Sequence, residues 1–416
     1  MKNYIILIFN LFIVVVVSAQ DVNYARNILV ELASPNYHGR GYVKNGDAKA
    51  AKFIAKQFKM DGLRSFGNDY FQKYSFSINS FPGSFLVSVD DKELVPGVDY
   101  VVSLSSKTVN KEFVIRDFVN YGSNPDSLFI LIDSVGNNDI FLINEKNTRK
   151  IYGQTIANAE AVAVLTEKTP YWHVSNGGNV SNTIWLKIKK DKVPFDAEKI
   201  KIKIKNKFID NHRTQNVIGY VKGSKYPDKY FVFTAHYDHL GMMGNQTYYP
   251  GANDNASGTA MVLDLARYYS LPENKPEYSI VFILLSGEEA GLYGSKYFVE
   301  HPLFPLEDIK FVVNLDMVGS GSEGITVVNG TLYDTLSQKM QSINNKNQYL
   351  KEIKLRGESC NSDHCPFYQK GVQSIFIYTR GTELIEYHTI ADSPDNFPFT
   401  AYNGLFTLLT GLVKDN

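Results

Sequence analysis

The sequence predicts an α/β fold in which helices cover both faces of a mixed central sheet, together with a smaller β-rich insertion. Three observations lead to this prediction. Residues 22–58 carry apolar side chains at helical spacing. Residues 81–210 are rich in short apolar runs separated by turn signals, which is typical of strands. From about residue 215 onward, apolar runs alternate with amphipathic helical patterns, as in a sheet covered by helices.

Composition excludes several classes of protein. The chain has 416 residues, with 43 basic and 43 acidic side chains, so its formal net charge is zero. No sequence-wide charge favours nucleic acid or an anionic membrane. Hydrophobic residues make up 44% of the chain and charged residues 21%, as in ordinary globular proteins. With two cysteines, the chain is not a small disulfide-framed domain.

Residues 1–19 have the pattern of a signal peptide. Lys2 precedes an apolar run from Ile5 to Val17, and small residues follow at Val17-Ser18-Ala19. The run is shorter than the roughly 20 residues that a membrane-spanning helix needs. We expect export to the periplasm or the medium, with a mature chain beginning near Gln20; the alternative is a signal anchor.

Export affects the interpretation of Cys360 and Cys365. An oxidising compartment permits a disulfide between them, and the alternative is a pair of free thiols. We predict the disulfide.

The chain is divided into a discontinuous α/β domain, residues 20–80 and 211–416, and the insertion at residues 81–210. Alternating lysines in the stretch 200–205 indicate a half-exposed strand rather than a basic ligand patch. The predicted elements that follow the insertion are strands at Tyr230–Thr234, Ser279–Leu285, Ile309–Asn314 and Ser374–Tyr378, and helices at Gly258–Tyr269 and Ala290–Val299.

Acidic and histidine side chains follow three of these strands. His236 and Asp238 come after the first strand, Glu288 and Glu289 after the second, and Asp316 after the third. The carboxyl ends of strands in an open α/β sheet are where ligands bind. Buried charges are costly unless they are paired or bind a metal, so this grouping indicates a site.

Single residues in this set have simpler interpretations too. Asp254 has the residue type of a helix N-cap, and His388 lies in a polar loop. Glu288 and Glu289 suit an exposed first helical turn, but adjacent carboxylates at the end of an apolar strand repel each other unless a cation or a proton intervenes. One of them is able to bind metal while the other handles a proton.

Six motifs in order give a specific resemblance. They are H-x-D at 236–238, G-A-N-D-N-A-S-G at 251–258, S-G-E-E at 286–289, N-L-D-M-V-G at 314–319, S-D-H at 362–364 and Y-H-T-x-x-D at 387–392. From about residue 215 to its end, the chain resembles the zinc-dependent exopeptidases of metallopeptidase family 28, which include bacterial leucyl aminopeptidases and glutamate carboxypeptidase. The insertion resembles a protease-associated domain, mainly at residues 156–165.

The resemblance implies two zinc ions bridged by Asp254. It assigns His236 and Asp316 to one ion, and Glu289 and His388 to the other, with Glu288 as the general base. Zinc takes imidazole nitrogen and carboxylate oxygen, although cobalt and manganese are able to occupy such a site. The resemblance also implies a cis peptide bond between Asp254 and Asn255. Residues expected to support the site or the substrate are Asp238, Asp363, His364 and Asp392.

The chain differs from some members of this family in the group that stabilises the oxyanion formed during peptide hydrolysis. Some relatives carry a tyrosine just before Ser-Asp-His, where this chain has Ser359-Cys360-Asn361. His364 and Tyr378 are the substitutes that the sequence offers.

The predicted function is hydrolysis of the N-terminal residue from peptides, with no nucleic acid partner and no membrane association after signal removal. Carboxypeptidase activity stays open, because the metal centre alone does not decide which peptide terminus is held. Two further alternatives are a single-zinc glutaminyl cyclase and a non-catalytic binding protein similar to the transferrin receptor. The second requires missing metal ligands, and the sequence lacks none of them.

Overall fold

The computed structural model describes residues 21–117, 138–145, 159–175 and 177–414. The predicted signal peptide lies outside the described residues, and so do the apolar run at residues 128–132, which is typical of a strand, and residues 156–158 of the stretch that resembles a protease-associated domain.

Eight of the described strands form the first sheet, which is mixed. In chain order they are β1 (Phe71–Ser80), β10 (Lys207–Val221), β11 (Tyr226–His236), β14 (Tyr278–Leu285), β15 (Ile309–Leu315), β16 (Gly324–Val328), β17 (Ile353–Leu355) and β18 (Ser374–Arg380). Their spatial order is β1-β10-β14-β11-β15-β18-β16-β17. The four strands β14, β11, β15 and β18 run parallel, so their carboxyl ends meet at one edge.

Helices cover both faces of this sheet. They are α1 (Val22–Leu32), α2 (Gly46–Met60), α3 (Gly258–Ser270), α4 (Tyr293–Glu300), α5 (Asp334–Asn347), α6 (His364–Gln369) and α7 (Tyr402–Lys414). Along β11, Phe231 and Phe233 pack in the same core as α1, α2, α3 and α7, whereas Val232 packs with Phe298 of α4 and Phe367 of α6. Both sides of the strand are therefore buried, which explains its continuous apolar sequence. The predicted α/β class is confirmed.

Helix α4 begins later than the sequence pattern indicates. The prediction placed its start at Ala290, but the helix starts at Tyr293. Leu292 has left-handed backbone angles (φ 61°), and Gly287 also has a positive φ of 71°. The chain turns sharply here before the helix can begin, and this turn carries Glu288 and Glu289.

Eight further strands form a second sheet from the described residues between 85 and 204. Its strands are β2 (Phe85–Val89), β3 (Lys92–Glu93), β4 (Tyr100–Val102), β5 (Val109–Asp117), β6 (Asp139–Asn144), β7 (Ala161–Thr166), β8 (Ile184–Lys189) and β9 (Lys199–Ile204), in the spatial order β3-β2-β9-β5-β6-β7-β8-β4. In β9 the isoleucines are buried, whereas Lys201 and Lys203 are exposed. The lysines therefore form a solvated strand face.

The two sheets share a hydrophobic core. Side chains of the insertion pack with Tyr74, Phe76, Leu240 and Tyr249, which come from the α/β part of the chain. Between residues 240 and 250, β12 (Met242–Met243) and β13 (Thr247–Tyr248) form a short hairpin. The insertion is thus packed directly against the segment that leaves β11.

Cys360 and Cys365 form the predicted disulfide. Among the residues that the structure describes, none of the helices is long and apolar enough to cross a membrane.

Candidate active site

The strand ends bring the predicted side chains together. His236 is the last residue of β11, Asp316 directly follows β15, and Glu288 and Glu289 follow β14 after a two-residue turn. Loops supply Asp254, from before α3, and His388, from after β18. His236, Asp254, Glu289, Asp316 and His388 are all buried.

These five side chains form two groups that share Asp254. In the first, Nε2 of His236 lies 3.3 Å from Oδ1 of Asp254 and 3.3 Å from Oδ1 of Asp316. In the second, Nε2 of His388 lies 3.0 Å from Oδ2 of Asp254 and 3.2 Å from Oε2 of Glu289. The two carboxylate oxygens of Asp254 thus face different groups, each with one imidazole nitrogen and two carboxylate oxygens.

The loop that carries Asp254 is held by buried hydrogen bonds. The peptide bond between Asp254 and Asn255 is cis, as predicted. Asp392 accepts hydrogen bonds from the backbone N–H groups of Asn253 and Asp254, at 2.8 and 3.0 Å. Asp254 does not cap α3, since the residue that precedes this helix is Ser257. Asp392, which the sequence analysis placed among the supporting residues, therefore supports the loop of Asp254.

Arg40 supports the same loop from the N-terminal part of the chain. Its guanidinium is completely buried and donates to the carbonyl oxygens of Pro250, Gly251 and Asp254, and also to those of Leu32 and Tyr237. The sequence analysis assigned no role to Arg40. A buried arginine whose N–H groups all donate to carbonyl oxygens holds irregular backbone in a fixed position.

Hydrogen bonds also orient the first group. Nδ1 of His236 donates to the carbonyl oxygen of Asp238 at 3.1 Å, which leaves Nε2 to face the carboxylates. Ser362 donates to Oδ2 of Asp316 at 2.9 Å and accepts from the side chain of Asn314. Ser362, which the sequence analysis did not single out, is therefore the member of Ser-Asp-His that contacts this group.

Two of the predicted supporting residues lie beside the site in different ways. Asp238 accepts a hydrogen bond from the backbone N–H of Glu288 at 3.2 Å, and burial raises its pKa to about 8. Asp363 accepts from Ser295, and burial raises its pKa to about 6. His364 points elsewhere, since its Nε2 donates to the carbonyl oxygen of Ser359 at 2.7 Å.

Glu288 and Glu289 have different surroundings. Glu289 is 7% exposed and belongs to the second group, whereas Glu288 is half-buried. Burial raises the pKa of Glu288 well above its ordinary value, and the carboxylates of Asp363, Glu289 and Asp316 raise it further. Glu288 is therefore the more accessible carboxylate and the one more ready to hold a proton.

Two histidines that the sequence analysis did not assign adjoin the second group. Nδ1 of His239 lies 2.7 Å from Oε1 of Glu289, the oxygen that does not face His388. His173, from the insertion, places its Nδ1 3.1 Å from Nδ1 of His388. His239 directly follows the H-x-D motif, so its position in the sequence indicated that it lies near the site. Nothing in the local sequence of His173 links it to this site.

A phenol also lies at the site. The ring of Tyr387 stacks on that of His388, with centroids 3.8 Å apart. Tyr387 is 45% exposed, and its partial burial raises its pKa, as do the carboxylates of Asp254, Glu289, Asp316 and Glu288. Tyr378, one of the two substitutes considered from the sequence, lies within β18 and packs against Phe376.

The donor set fits metal cations. Burial disfavours a charged imidazole, but Glu289 and Asp254 outweigh it and raise the pKa of His388 to about 11. The carboxylates therefore favour a positive charge beside them, which bound cations would supply. Imidazole nitrogen with carboxylate oxygen is a donor set that zinc takes, and Asp254 faces two positions that could each hold an ion.

Comparison with known proteins assigns this part of the chain. Residues 216–411 match the model of peptidase family M28. This segment is an M28 peptidase domain. It contains all five side chains of the two groups, and Glu288.

Curated relatives agree with the M28 assignment. The chain is 33% identical to aminopeptidase YwaD of Bacillus subtilis over 276 residues, which are 62% of this chain and 57% of that protein. It is 38% identical to a probable zinc metalloprotease of Pyricularia oryzae over 116 residues, 27% of this chain and 23% of that protein. The chain therefore spans little more than half the length of the first relative, and about a quarter of the second.

A solved structure shows that the fold extends beyond the M28 domain. The zinc aminopeptidase BSAP from Bacillus subtilis superposes with a TM-score of 0.71 at 23% identity, and the match covers 94% of each chain. The similarity therefore includes the region of the second sheet.

Proposed function

We propose that this protein is an exported aminopeptidase that uses two zinc ions to release the N-terminal residue of peptides. The observation that carries the proposal is the position of Asp254, whose two carboxylate oxygens face two separate ligand groups. The M28 domain and the aminopeptidase and zinc metalloprotease relatives support the reaction class.

The side chains present define how the ions would be held. His236 and Asp316 would hold one ion, Glu289 and His388 the other, and Asp254 would bridge them. When bound, such ions act as Lewis acids. They polarise a peptide carbonyl and lower the pKa of water to near neutrality. Arg40 and Asp392 keep the loop of Asp254 in place, and Ser362 orients Asp316.

Glu288 is proposed as the general base. Its carboxylate is half-buried beside the two groups, whereas Glu289 is buried within one of them. A carboxylate with a raised pKa can take a proton from the attacking water and return it to the departing amine. The backbone N–H bond to Asp238 holds the segment of Glu288 in place.

Tyr387 is proposed to stabilise the oxyanion. Its ring stacks on that of His388, and partial burial and the nearby carboxylates both raise the pKa of its hydroxyl and so keep it protonated. A neutral phenol at this place can donate a hydrogen bond to the developing negative charge. This role replaces the tyrosine that some relatives carry before Ser-Asp-His.

Two experiments on the purified chain test the proposal together. Metal analysis should give two zinc ions per chain. A panel of aminoacyl chromogenic substrates should be hydrolysed, and a chelator should abolish the activity. Peptides with a blocked N-terminus serve as a matched control and should resist cleavage.

The same panel separates the alternatives. One zinc ion together with formation of pyroglutamate from N-terminal glutamine would establish the cyclase. Cleavage of N-blocked peptides from the other end would establish a carboxypeptidase, and no zinc with no turnover would favour a binding protein. Export is tested separately, by the presence in culture fractions of a chain that begins near Gln20.

A further inference from the structure

We propose that His173, which belongs to the insertion, is a positioning residue for His388, so that the insertion forms part of the metal centre. The inference rests on the proposed function, since it concerns a side chain that is proposed to bind zinc.

The contact joins Nδ1 of His173 to Nδ1 of His388, which is not the ring nitrogen of His388 that faces the carboxylates. Nδ1 of His173 lies 3.1 Å from Nδ1 of His388, and the rings meet edge to face with centroids 4.8 Å apart. Nε2 of His388 faces Asp254 and Glu289, which is the direction of the proposed ion. An imidazole that gives Nε2 to a metal carries its proton on Nδ1 and needs an acceptor there. Nδ1 of His173 is that acceptor.

The segment that carries His173 is anchored on both sides. The backbone N–H of Trp172 donates to the carbonyl oxygen of His388 at 3.0 Å, so the same segment holds both the backbone and the ring of His388. Trp172 is 2% exposed, and its indole N–H donates to the carbonyl oxygen of Val102 in β4 at 2.7 Å. The indole also packs against Tyr249 of the M28 domain.

The local backbone of His388 makes this support necessary. His388 has a left-handed conformation with φ 55°, in a loop between β18 and α7. A side chain on such a loop is not oriented by a helix or a strand, so its ring direction depends on the groups that contact it. The ring of Tyr387 fixes one face, and His173 fixes the Nδ1 edge.

The exposure of His173 indicates that it serves to position His388 rather than to pack the core. The flanking residues Trp172 and Val174 are buried and belong to the core of the insertion, whereas His173 is exposed. An exposed imidazole adds little to that core, and its polar contact is directed at His388. The structure therefore places a hydrogen-bond acceptor where a metal-binding histidine requires one.

The test measures zinc affinity in three variants of the full chain by competition with a chromophoric chelator. His173→Leu removes the acceptor and should weaken one of the two zinc ions by about 10–100-fold, the usual effect of losing such a partner. His173→Asn keeps a carbonyl oxygen near the place of Nδ1 and should restore most of the affinity. His301→Leu, which replaces an exposed histidine of α4's C-terminal end, should bind both ions as the wild type does.

Each outcome decides the inference. Unchanged affinity in His173→Leu would overturn it, and so would equal losses in His173→Leu and His173→Asn. A wild type that binds no zinc would overturn the proposed function as well, whereas a two-zinc wild type with an unaffected His173→Leu overturns the inference alone. Melting temperatures of the metal-free proteins should agree, because His173 lies outside the buried core.

Discussion

Glu288 and Glu289 are adjacent in the chain, yet only Glu289 belongs to one of the two groups that share Asp254. A positive φ at Gly287 and the turn before Tyr293 direct the two side chains to different surroundings. The two carboxylates should therefore respond differently to the same substitution.

Glu288→Gln should keep both zinc ions and lower kcat by about 10²–10⁴-fold, because a proton-transfer group is lost while the ligands remain. Glu289→Gln should lose one ion instead. Metal analysis and steady-state kinetics on both variants measure the difference. Turnover near the wild-type rate in metal-loaded Glu288→Gln would remove Glu288 from its proposed role.

Tyr387→Phe should lower kcat by about 10²-fold, with little change in KM or zinc content. The phenylalanine ring can still stack on His388, so only the hydroxyl donor to the oxyanion is lost. Tyr378→Phe is the matched control and should have wild-type kinetics. Equal effects of the two substitutions would contradict the assignment.

Asp61 is a destabilising carboxylate far from the site. It lies at the C-terminal end of α2, where the helix dipole opposes a negative charge. Among the described residues, its buried Oδ2 has no hydrogen-bond partner. Burial raises the pKa of Asp61 from 3.8 to about 6, and Asp264 adds to the effect. The folded state therefore binds this proton more tightly than the unfolded chain does, and stability falls as the pH rises between these two values.

Asp61→Asn should stabilise the protein at pH 7 by about 1 kcal/mol, since the full shift would give about 3 kcal/mol and partial exposure reduces it. The gain should disappear below pH 4, where Asp61 is neutral in both states. Urea unfolding at both pH values measures it, with the exposed Asp196→Asn as control. A gain that is equal at the two pH values would show that ionisation is not the cause.

At the scale of elements, β1 and β10 connect the two sheets. They pair antiparallel from Phe71 with Val217 to Ser80 with Lys207, and the insertion begins and ends at their far ends. Along β10, His212 and Thr214 are buried on one side and both bond to Oδ2 of Asp47 in α2, at 2.6 and 3.0 Å. This contact joins the connecting strands to the helical layer.

His212→Leu should destabilise the protein by about 3–5 kcal/mol, because it removes a partner of a fully buried carboxylate. The double variant His212→Leu, Asp47→Leu should recover much of that loss, since no charge is left buried. Arg213→Gln, on the exposed side of the same strand, should change stability little. Denaturant midpoints of the wild type, the two single variants His212→Leu and Asp47→Leu, the double variant and Arg213→Gln measure the coupling, and additive losses in the double variant would contradict it.

At the scale of the whole molecule, the two ligand groups join segments that are far apart in sequence. Bound zinc should therefore stabilise the fold, by about 2.7 kcal/mol for each ion when free zinc is 100 times the dissociation constant of that site. A chelator should lower the melting temperature, and added zinc should restore it. Asp254→Asn should lose most of this response, since one side chain serves both groups. Calorimetry with and without chelator measures both effects, and a wild-type melting temperature indifferent to chelator would contradict the expectation.

The sequence by itself determined the α/β class and the residues that meet at the sheet edge. Buried parallel strands need continuous apolar runs, and residues that directly follow such strands must emerge at the same edge. His236, Glu289 and Asp316 could therefore be predicted to lie together. Asp254 and His388, which lie in loops, came from the order of motifs.

Only the tertiary structure decided how these side chains are held. Arg40 lies 214 positions from Asp254, and His173 lies 215 positions from His388. The local spacing of apolar residues does not predict such contacts, because packing between distant segments creates them. The same holds for Ser-Asp-His, where Ser362 contacts Asp316 while His364 bonds to Ser359. Residue types and strand ends specify which groups can meet, whereas packing and backbone angles specify which atoms face each other.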